Sequence, residues 1–154
     1  MGSILRLALL GTSLLLQVLP SVPLAAHPAS CWSRAETIDE ASTRLWKAGK
    51  LSAASLERER SARFAEGCKD GGQDKSRHLS LLIAAEELVI AGELAHGAGE
   101  NRRATVLVRE GAQKLRLRLR IFPEVDADHR SVASEVLERA VADLHGEWGS
   151  MSAS

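Results

Sequence analysis

Aromatic residues and net charge are both scarce in this chain of 154 residues. It has three Trp, two Phe and no Tyr, and its 20 basic residues balance its 20 acidic residues. Surfaces that bind carbohydrate or single-stranded nucleic acid usually present aromatic rings for stacking. A balanced chain also exerts no overall attraction on nucleic acid or anionic membranes. We therefore expect no nucleic-acid partner, and membrane contact is a less favoured alternative.

Known catalytic motifs are also missing. The chain contains no Gly-x-Ser-x-Gly elbow, no phosphate-binding glycine loop and no dinucleotide fingerprint. Glu93-x-x-His96 places a carboxylate and an imidazole on one helical face, as in di-iron bundles. Such a site needs a second copy of the motif, and the sequence has none. We predict neither an enzyme nor a cofactor, and Glu93 and His96 are only weak candidates for a metal site.

The first 26 residues have the pattern of a secretory signal peptide. Arg6 precedes a mostly aliphatic run, Leu7 to Leu19, and Ala25-Ala26 supplies small residues for cleavage. The apolar run is too short to span a bilayer, which takes roughly 20 residues. The pattern predicts an exported protein, periplasmic or secreted, with a signal peptide at 1–26 and a mature chain that begins near His27.

Export determines how the two cysteines, Cys31 and Cys68, are interpreted, because oxidising compartments permit disulfides. They bracket the first predicted helical hairpin, so a disulfide would join its two open ends. Closing a loop of about 38 residues contributes roughly 4 kcal/mol in the chain-entropy model. As an alternative, Pro28-Ala29-Ser30-Cys31 resembles a bacterial lipoprotein box. That resemblance implies a lipidated Cys31, a membrane-tethered protein and an unpaired Cys68.

Apolar spacing, capping residues and glycine turns predict an all-α fold. The expected helices run at about 33–48, 52–66, 75–96, 101–121 and 128–145. Residues 115–121 alternate with period two, as strands do, but a continuous apolar face through Ala104, Leu107 and Leu115 favours helix. We expect one domain over 27–146, packed as antiparallel hairpins in a bundle or short array, and a flexible tail over 147–154.

Charges on the third and fourth helices recur every seven residues. If the two helices fold back near Gly99, an ion-pair ladder forms that fixes the register of the hairpin. Its predicted pairs are Glu100–Arg102, Glu93–Arg109 and Glu86–Arg116. The alternative is an exposed basic helix that binds polyanions or lipid headgroups. Its members would be Arg102, Arg103, Arg109, Lys114, Arg116, Arg118 and Arg120.

Small residues around two turns suggest a family likeness. Gly92-x-x-Ala95-x-x-x-Gly99-x-x-x-x-Ala104 is similar to the small-residue spacing of a tetratricopeptide repeat, and Trp46-Lys47-Ala48-Gly49-Lys50-Leu51 resembles the same turn in an earlier unit. The two turns lie about 50 residues apart, whereas that repeat has a period of about 34. The resemblance implies stacked helical hairpins with a peptide-binding surface.

The leading functional hypothesis is therefore an exported helical domain that acts through contact with another protein. Two alternatives remain open. The first is an envelope domain that senses a small ligand or a metal through Glu93 and His96. The second is a lipid-tethered peripheral membrane protein.

Overall fold

A computed structural model describes residues 31–67, 75–121, 127–146 and 148. They form five α-helices: α1 (Cys31–Lys47), α2 (Leu51–Gly67), α3 (Lys75–Gly97), α4 (Asn101–Ile121) and α5 (Ala127–Leu144). The described residues include no strand, so the all-α prediction is confirmed, and residues 115–121 are helical. The predicted signal peptide, Cys68 and all of the predicted tail except Trp148 lie outside the described residues.

Two predicted helix starts need correction. Helix α1 begins at Cys31, two residues before the predicted capping residue Ser33. Helix α2 begins at Leu51, so Ser52 lies inside the helix, and its hydroxyl donates a hydrogen bond to the carboxylate of Glu100. No helix in the described part of the chain has the length and apolar character needed to cross a membrane.

The helices pack in chain order, each one antiparallel to the next. We call α1–α2 hairpin 1 and α3–α4 hairpin 2. Helix α2 lies on one side of hairpin 2, where Ala62 joins Leu88, Ala91 and Leu107 in a buried cluster. Helix α5 lies on the other side and packs mainly on α4, and less on α3. Hairpin 2 is therefore the centre of the domain.

Both hairpins turn in the same way, 50 residues apart. In the first, Gly49 has a φ of 71° and its N–H donates to Trp46 O at 2.8 Å, while Lys50 N–H donates to Leu45 O at 2.9 Å. In the second, Gly99 has a φ of 81° and its N–H donates to His96 O at 2.8 Å, while Glu100 N–H donates to Ala95 O at 2.9 Å. This pattern is the Schellman motif, which needs a residue in the left-handed conformation and so favours glycine.

In hairpin 2 the helices meet through glycine. A Cβ at Gly92 would lie 2.5 Å from Val108 Cγ2 and 2.9 Å from Ala104 O. A Cβ at Gly111 would lie 2.7 Å from Val89 Cγ2 and 2.9 Å from Ala85 O. The two contacts are equivalent: Ala85, Val89 and Gly92 on α3 correspond to Ala104, Val108 and Gly111 on α4, each 19 residues later. The backbones approach too closely at both places for any side chain.

In hairpin 1 serine occupies the corresponding positions, and it makes hydrogen bonds there. Ser42 Oγ donates to Ala54 O at 2.7 Å, and Ser61 Oγ donates to Ala35 O at 2.9 Å. The four residues of these contacts in hairpin 1 lie 50 positions before their counterparts in hairpin 2, which are Ala85, Gly92, Ala104 and Gly111. Hairpin 1 therefore repeats the contacts of hairpin 2 at the same places, with a buried hydroxyl where hairpin 2 has no side chain.

The largest buried apolar cluster joins hairpin 2 to α5. Aliphatic side chains fill it, since the chain has few aromatic residues, and Trp148 packs on its edge. Its buried members are Leu82, Ala85, Val89, Val108, Ala112, Leu115, Ala133, Val136 and Ala140.

Candidate interaction surface

Glu93, one of the predicted ladder residues, is a buried carboxylate between α3 and α5. Only 6% of the residue is exposed, and its carboxylate forms an ion pair with the guanidinium of Arg139 on α5. Burial raises the pKa of Glu93, Arg139 opposes that shift, and the neighbouring Asp143 carboxyl adds to it. Glu93 therefore fixes α5 to α3, and Arg109, its predicted partner, lies exposed on α4.

Neither of the other two predicted pairs forms among the described residues. Glu100 accepts hydrogen bonds from Ser52 and from Arg103 Nη1, the latter at 2.8 Å. Glu86 is partly buried, and burial raises its pKa to about 7. Arg102 and Arg116 are exposed. In the structure, Glu93 therefore pairs with Arg139 and Glu100 pairs with Arg103, rather than with the arginines of the predicted ladder.

A ladder of ion pairs does exist, but it joins α2 to α4. Arg103 Nη2 lies 2.8 Å from Glu59 Oε2, and Lys114 Nζ lies 2.5 Å from Glu66 Oε1. Between them, Arg63 donates two hydrogen bonds to Glu110, the longer at 2.7 Å. The hydrogen bonds from Arg63 lower the pKa of Glu110 to about 2.

The difference between the two ladders has a geometric cause. Helices α3 and α4 touch through Gly92 and Gly111, and this narrow seam leaves no room for long charged side chains. Helix α2 lies farther from α4, across the surface of α3, and Arg, Lys and Glu side chains can span that wider gap. A seven-residue spacing places charges on one side of a helix, but it does not show which neighbouring helix that side faces.

A second charged cluster ties α1, α2 and α3 together around Arg58. This guanidinium pairs with Asp39 on α1 and lies 2.8 Å from Glu87 Oε2 on α3. The side chains of Arg58 and Glu87 are only 11% and 13% exposed. Burial raises the pKa of Glu87 to about 7, and Arg58 opposes that shift. This cluster is a structural link between the two hairpins.

Helix α4 turns one face away from the rest of the domain. Its opposite side packs on α3 through Ala104, Val108 and Gly111. We define the α4 outer face by exposed residues on the free side. They are Arg102, Val106, Arg109, Arg116, Leu117, Arg120 and Ile121.

This face combines apolar side chains with charges that lack a partner. Val106, Leu117 and Ile121 are 56%, 48% and 52% exposed, whereas the described part of the chain has only two other exposed large apolar residues, Leu56 and Val132. None of the four arginines of the face takes part in an ion pair among the described residues. The remaining basic residues of α4 differ: Arg103 and Lys114 belong to the ladder with α2, and Arg118 is partly buried and has an interaction of its own.

The weak metal candidates, Glu93 and His96, have other surroundings. Arg139 pairs with the Glu93 carboxylate, and the His96 ring stacks on Trp148 with centroids 4.1 Å apart. In the part of the chain that the structure describes, no three His, Cys, Asp or Glu side chains gather in a way that could hold a metal ion.

A shallow groove of about 580 Å³ lies between the two hairpin turns. It is mainly apolar and wide open to solvent. Its lining residues are Gly49, Lys50, Leu51, Ser52, Ala53, Leu56, Gly97 and Ala98. Backbone and small side chains dominate this lining, so the groove offers few groups for specific recognition.

Comparison with known protein families, with curated proteins and with solved structures finds no match for this chain. What the described residues show is five helices in sequence, each antiparallel to the next, and no family is identified.

Proposed function

We propose that this protein is an exported helical domain that acts by binding another protein through the α4 outer face. The supporting observation is the composition of that face. It brings together three exposed aliphatic residues and four arginines that form no ion pair with any residue the structure describes. Exposed apolar groups with polar surroundings are typical of interaction sites, and the arginines add charges with which a partner could pair.

The residue types support a protein partner. Arginine is enriched at protein interfaces, because its planar guanidinium makes paired hydrogen bonds and its stem packs against apolar groups. The other charged clusters of the domain are already satisfied internally: Arg58 holds α1 and α3, and Glu93 holds α5. The arginines of the α4 outer face, by contrast, remain available for a partner.

The proposal also includes the compartment. The pattern of residues 1–26 supports export, and the likeness to tetratricopeptide repeats supports a peptide- or protein-binding role for stacked hairpins. The repeated hairpins supply a rigid scaffold for such a surface, since both use the same turn and the same helix contacts.

Site-specific crosslinking tests the proposal. A photoreactive amino acid replaces Leu117 in the full chain, expressed in its native cells, and a second version carries it at Glu36, an exposed residue of α1. We expect one protein to crosslink at position 117 in amounts comparable to the domain itself, and to be absent from position 36. The same species must bind the purified domain with a measurable Kd. No crosslink at 117 under these conditions contradicts the proposal.

A further inference from the structure

We infer that the partner of the α4 outer face is an acidic amphipathic helix, with carboxylates that repeat every seven residues. This inference rests on the proposed function and adds the chemistry and shape of the partner. It starts from the arrangement of the exposed arginines rather than from their number.

Three of the arginines form a regular row, and the fourth extends it. Arg102, Arg109 and Arg116 are each seven residues apart, which corresponds to about 10 Å along the helix axis. Arg120 lies one helical turn beyond Arg116. In coiled coils, charged residues that recur every seven positions flank an apolar seam and select the partner helix.

The apolar residues lie beside this row. Val106 and Leu117 are 11 residues apart, three helical turns, and Ile121 follows one turn later. Gln113 is exposed between them. A partner helix with aliphatic residues on its seam would cover these side chains, and its flanking glutamates would then lie opposite the arginines.

Arginine in all four positions favours carboxylates as the partner groups. Its guanidinium forms two parallel hydrogen bonds with a carboxylate, which lysine cannot do. Phosphates accept the same bonds, so an anionic membrane is the competing partner. Helices that lie in a membrane surface usually bury aromatic and leucine side chains, and the α4 outer face has no aromatic residue and a single leucine. Lipid headgroups also have no fixed spacing of about 10 Å. The observations favour a helix.

The test uses a synthetic 28-residue peptide with leucine at heptad positions a and d and glutamate at e and g. A matched peptide has lysine at e and g. Binding of each to the full mature domain is measured by fluorescence anisotropy at low and at moderate salt. We expect the glutamate peptide to bind and the lysine peptide to bind at least about tenfold more weakly, because like charges then oppose each other. Affinity for the glutamate peptide should fall severalfold as salt rises, since exposed charges are screened.

Charge reversal locates the binding site. The double variant Arg109→Glu, Arg116→Glu should bind the glutamate peptide at least about tenfold more weakly. The control variant, Arg34→Glu with Arg44→Glu, changes the net charge equally at exposed arginines of α1 and should bind as the wild type does. Both arginine and glutamate are good helix formers, so neither variant should unfold its helix.

Four results contradict the inference, and each points elsewhere. Equal weakening by both double variants means that the peptide responds only to net charge. Binding to phosphatidylglycerol vesicles through Arg109 and Arg116, without binding to the peptide, assigns the face to a membrane. A dimer in sedimentation that the same variants dissociate assigns it to a second copy of the chain. Finally, a partner that crosslinks at position 117 while neither peptide binds leaves the proposed function intact and removes only the acidic helix.

Discussion

Hairpins 1 and 2 share the same turn and the same contact positions, but the residues at which their helices touch differ. Each turns through an Ala-Gly pair with the same hydrogen bonds, and each sets two small residues against the carbonyl oxygens of two alanines. Hairpin 1 places Ser42 and Ser61 at the contacts, and hairpin 2 places Gly92 and Gly111 there. A hydroxyl adds a hydrogen bond but holds the backbones apart, whereas glycine allows the closest approach and permits extensive packing around it.

The surroundings of the two hairpins explain this division. Hairpin 2 is covered by α2 on one side and α5 on the other, so close packing there contributes to three interfaces. Among the helices that the structure describes, hairpin 1 lies at one end of the array and has α3 on one side only. Its two serines and the predicted disulfide would compensate for a smaller apolar contact.

The largest difference that we expect between the hairpins comes from that disulfide. A Cys31–Cys68 bond would stabilise hairpin 1 alone, and removing it should lower the free energy of unfolding by about 4 kcal/mol. The double variant Cys31→Ser, Cys68→Ser avoids a free thiol and should show this loss in urea titrations. Intact mass spectrometry of the exported protein should show a chain that begins near His27 and gains about two daltons on reduction. A chain that begins at an acylated Cys31 contradicts both the disulfide and a soluble exported protein.

Hairpin 2 should depend most on its two glycines. Gly92→Ala and Gly111→Ala each place a methyl group within 3 Å of a valine side chain and a backbone carbonyl, so the helices must move apart. Alanine favours the helix by about 1 kcal/mol, but overpacking of this kind costs about 1–3 kcal/mol, and here backbone must shift. We expect each variant to lose about 2 kcal/mol in thermal or urea unfolding.

The matched control for these variants is Gly67→Ala, at the last residue of α2. A Cβ there has nothing within 4 Å. This change should leave stability unchanged or raise it slightly. If all three glycine variants behave alike, the close contact in hairpin 2 does not limit packing.

The sequence predicted the helices well because their signals are local. Apolar spacing, Gly49 and Gly99 placed four helices to within about two residues, and the apolar face through Leu115 correctly identified residues 115–121 as helix. The side-chain partners could not be predicted in the same way. Glu93 and Arg139 are 46 residues apart, and only the packing of α5 against α3 brings them together.

A repeated sequence pattern does mark the packing of the helices. Residues 85–92 and 104–111 share the pattern Ala-x-x-Leu-Val-x-x-Gly, and these are the segments that meet in hairpin 2. The equivalent Ala-x6-small pattern at 35–42 and 54–61 marks hairpin 1. The two turns lie 50 residues apart because a whole hairpin recurs at that spacing, which differs from a repeat with a period of 34.

The link between the hairpins should respond to pH. The folded-state pKa of Glu87 is raised to about 7 from 4.5, so the folded protein binds this proton more tightly than the unfolded chain. The stability contributed by the protonated group is complete below about pH 4.5 and is lost as pH rises through 7. Arg58, Asp39 and Glu86 are the charged groups that influence it.

We therefore expect the free energy of unfolding to fall between pH 5 and pH 8, by about 2 kcal/mol from Glu87. Urea titrations at the two pH values measure the change. In Glu87→Gln the fall should be clearly smaller, while Glu135→Gln, at an exposed glutamate of α5, should behave as the wild type does. An identical fall in all three proteins contradicts a role for Glu87.

The smallest effects should come from the serines of hairpin 1, and they test why the two hairpins differ. Ser42→Ala and Ser61→Ala each remove one buried hydrogen bond to a carbonyl that keeps its own helical bond. Each should cost about 0.5–1 kcal/mol, since alanine recovers part of the loss through helix propensity. The two costs should add, because the sites lie about 10 Å apart along the hairpin. Ser134→Ala is the control, since Ser134 Oγ donates only within its own helix, to Arg130 O at 2.8 Å.

Ser42→Gly with Ser61→Gly reproduces the contact residues of hairpin 2. If the surroundings of hairpin 1 favour the hydroxyls, this variant should be less stable than the double alanine variant by about 2 kcal/mol, the usual helix cost of two glycines. If the double glycine variant is more stable, the helices of hairpin 1 have moved as close together as those of hairpin 2. The contact residues themselves, and not the surrounding helices, then determine how closely a hairpin packs.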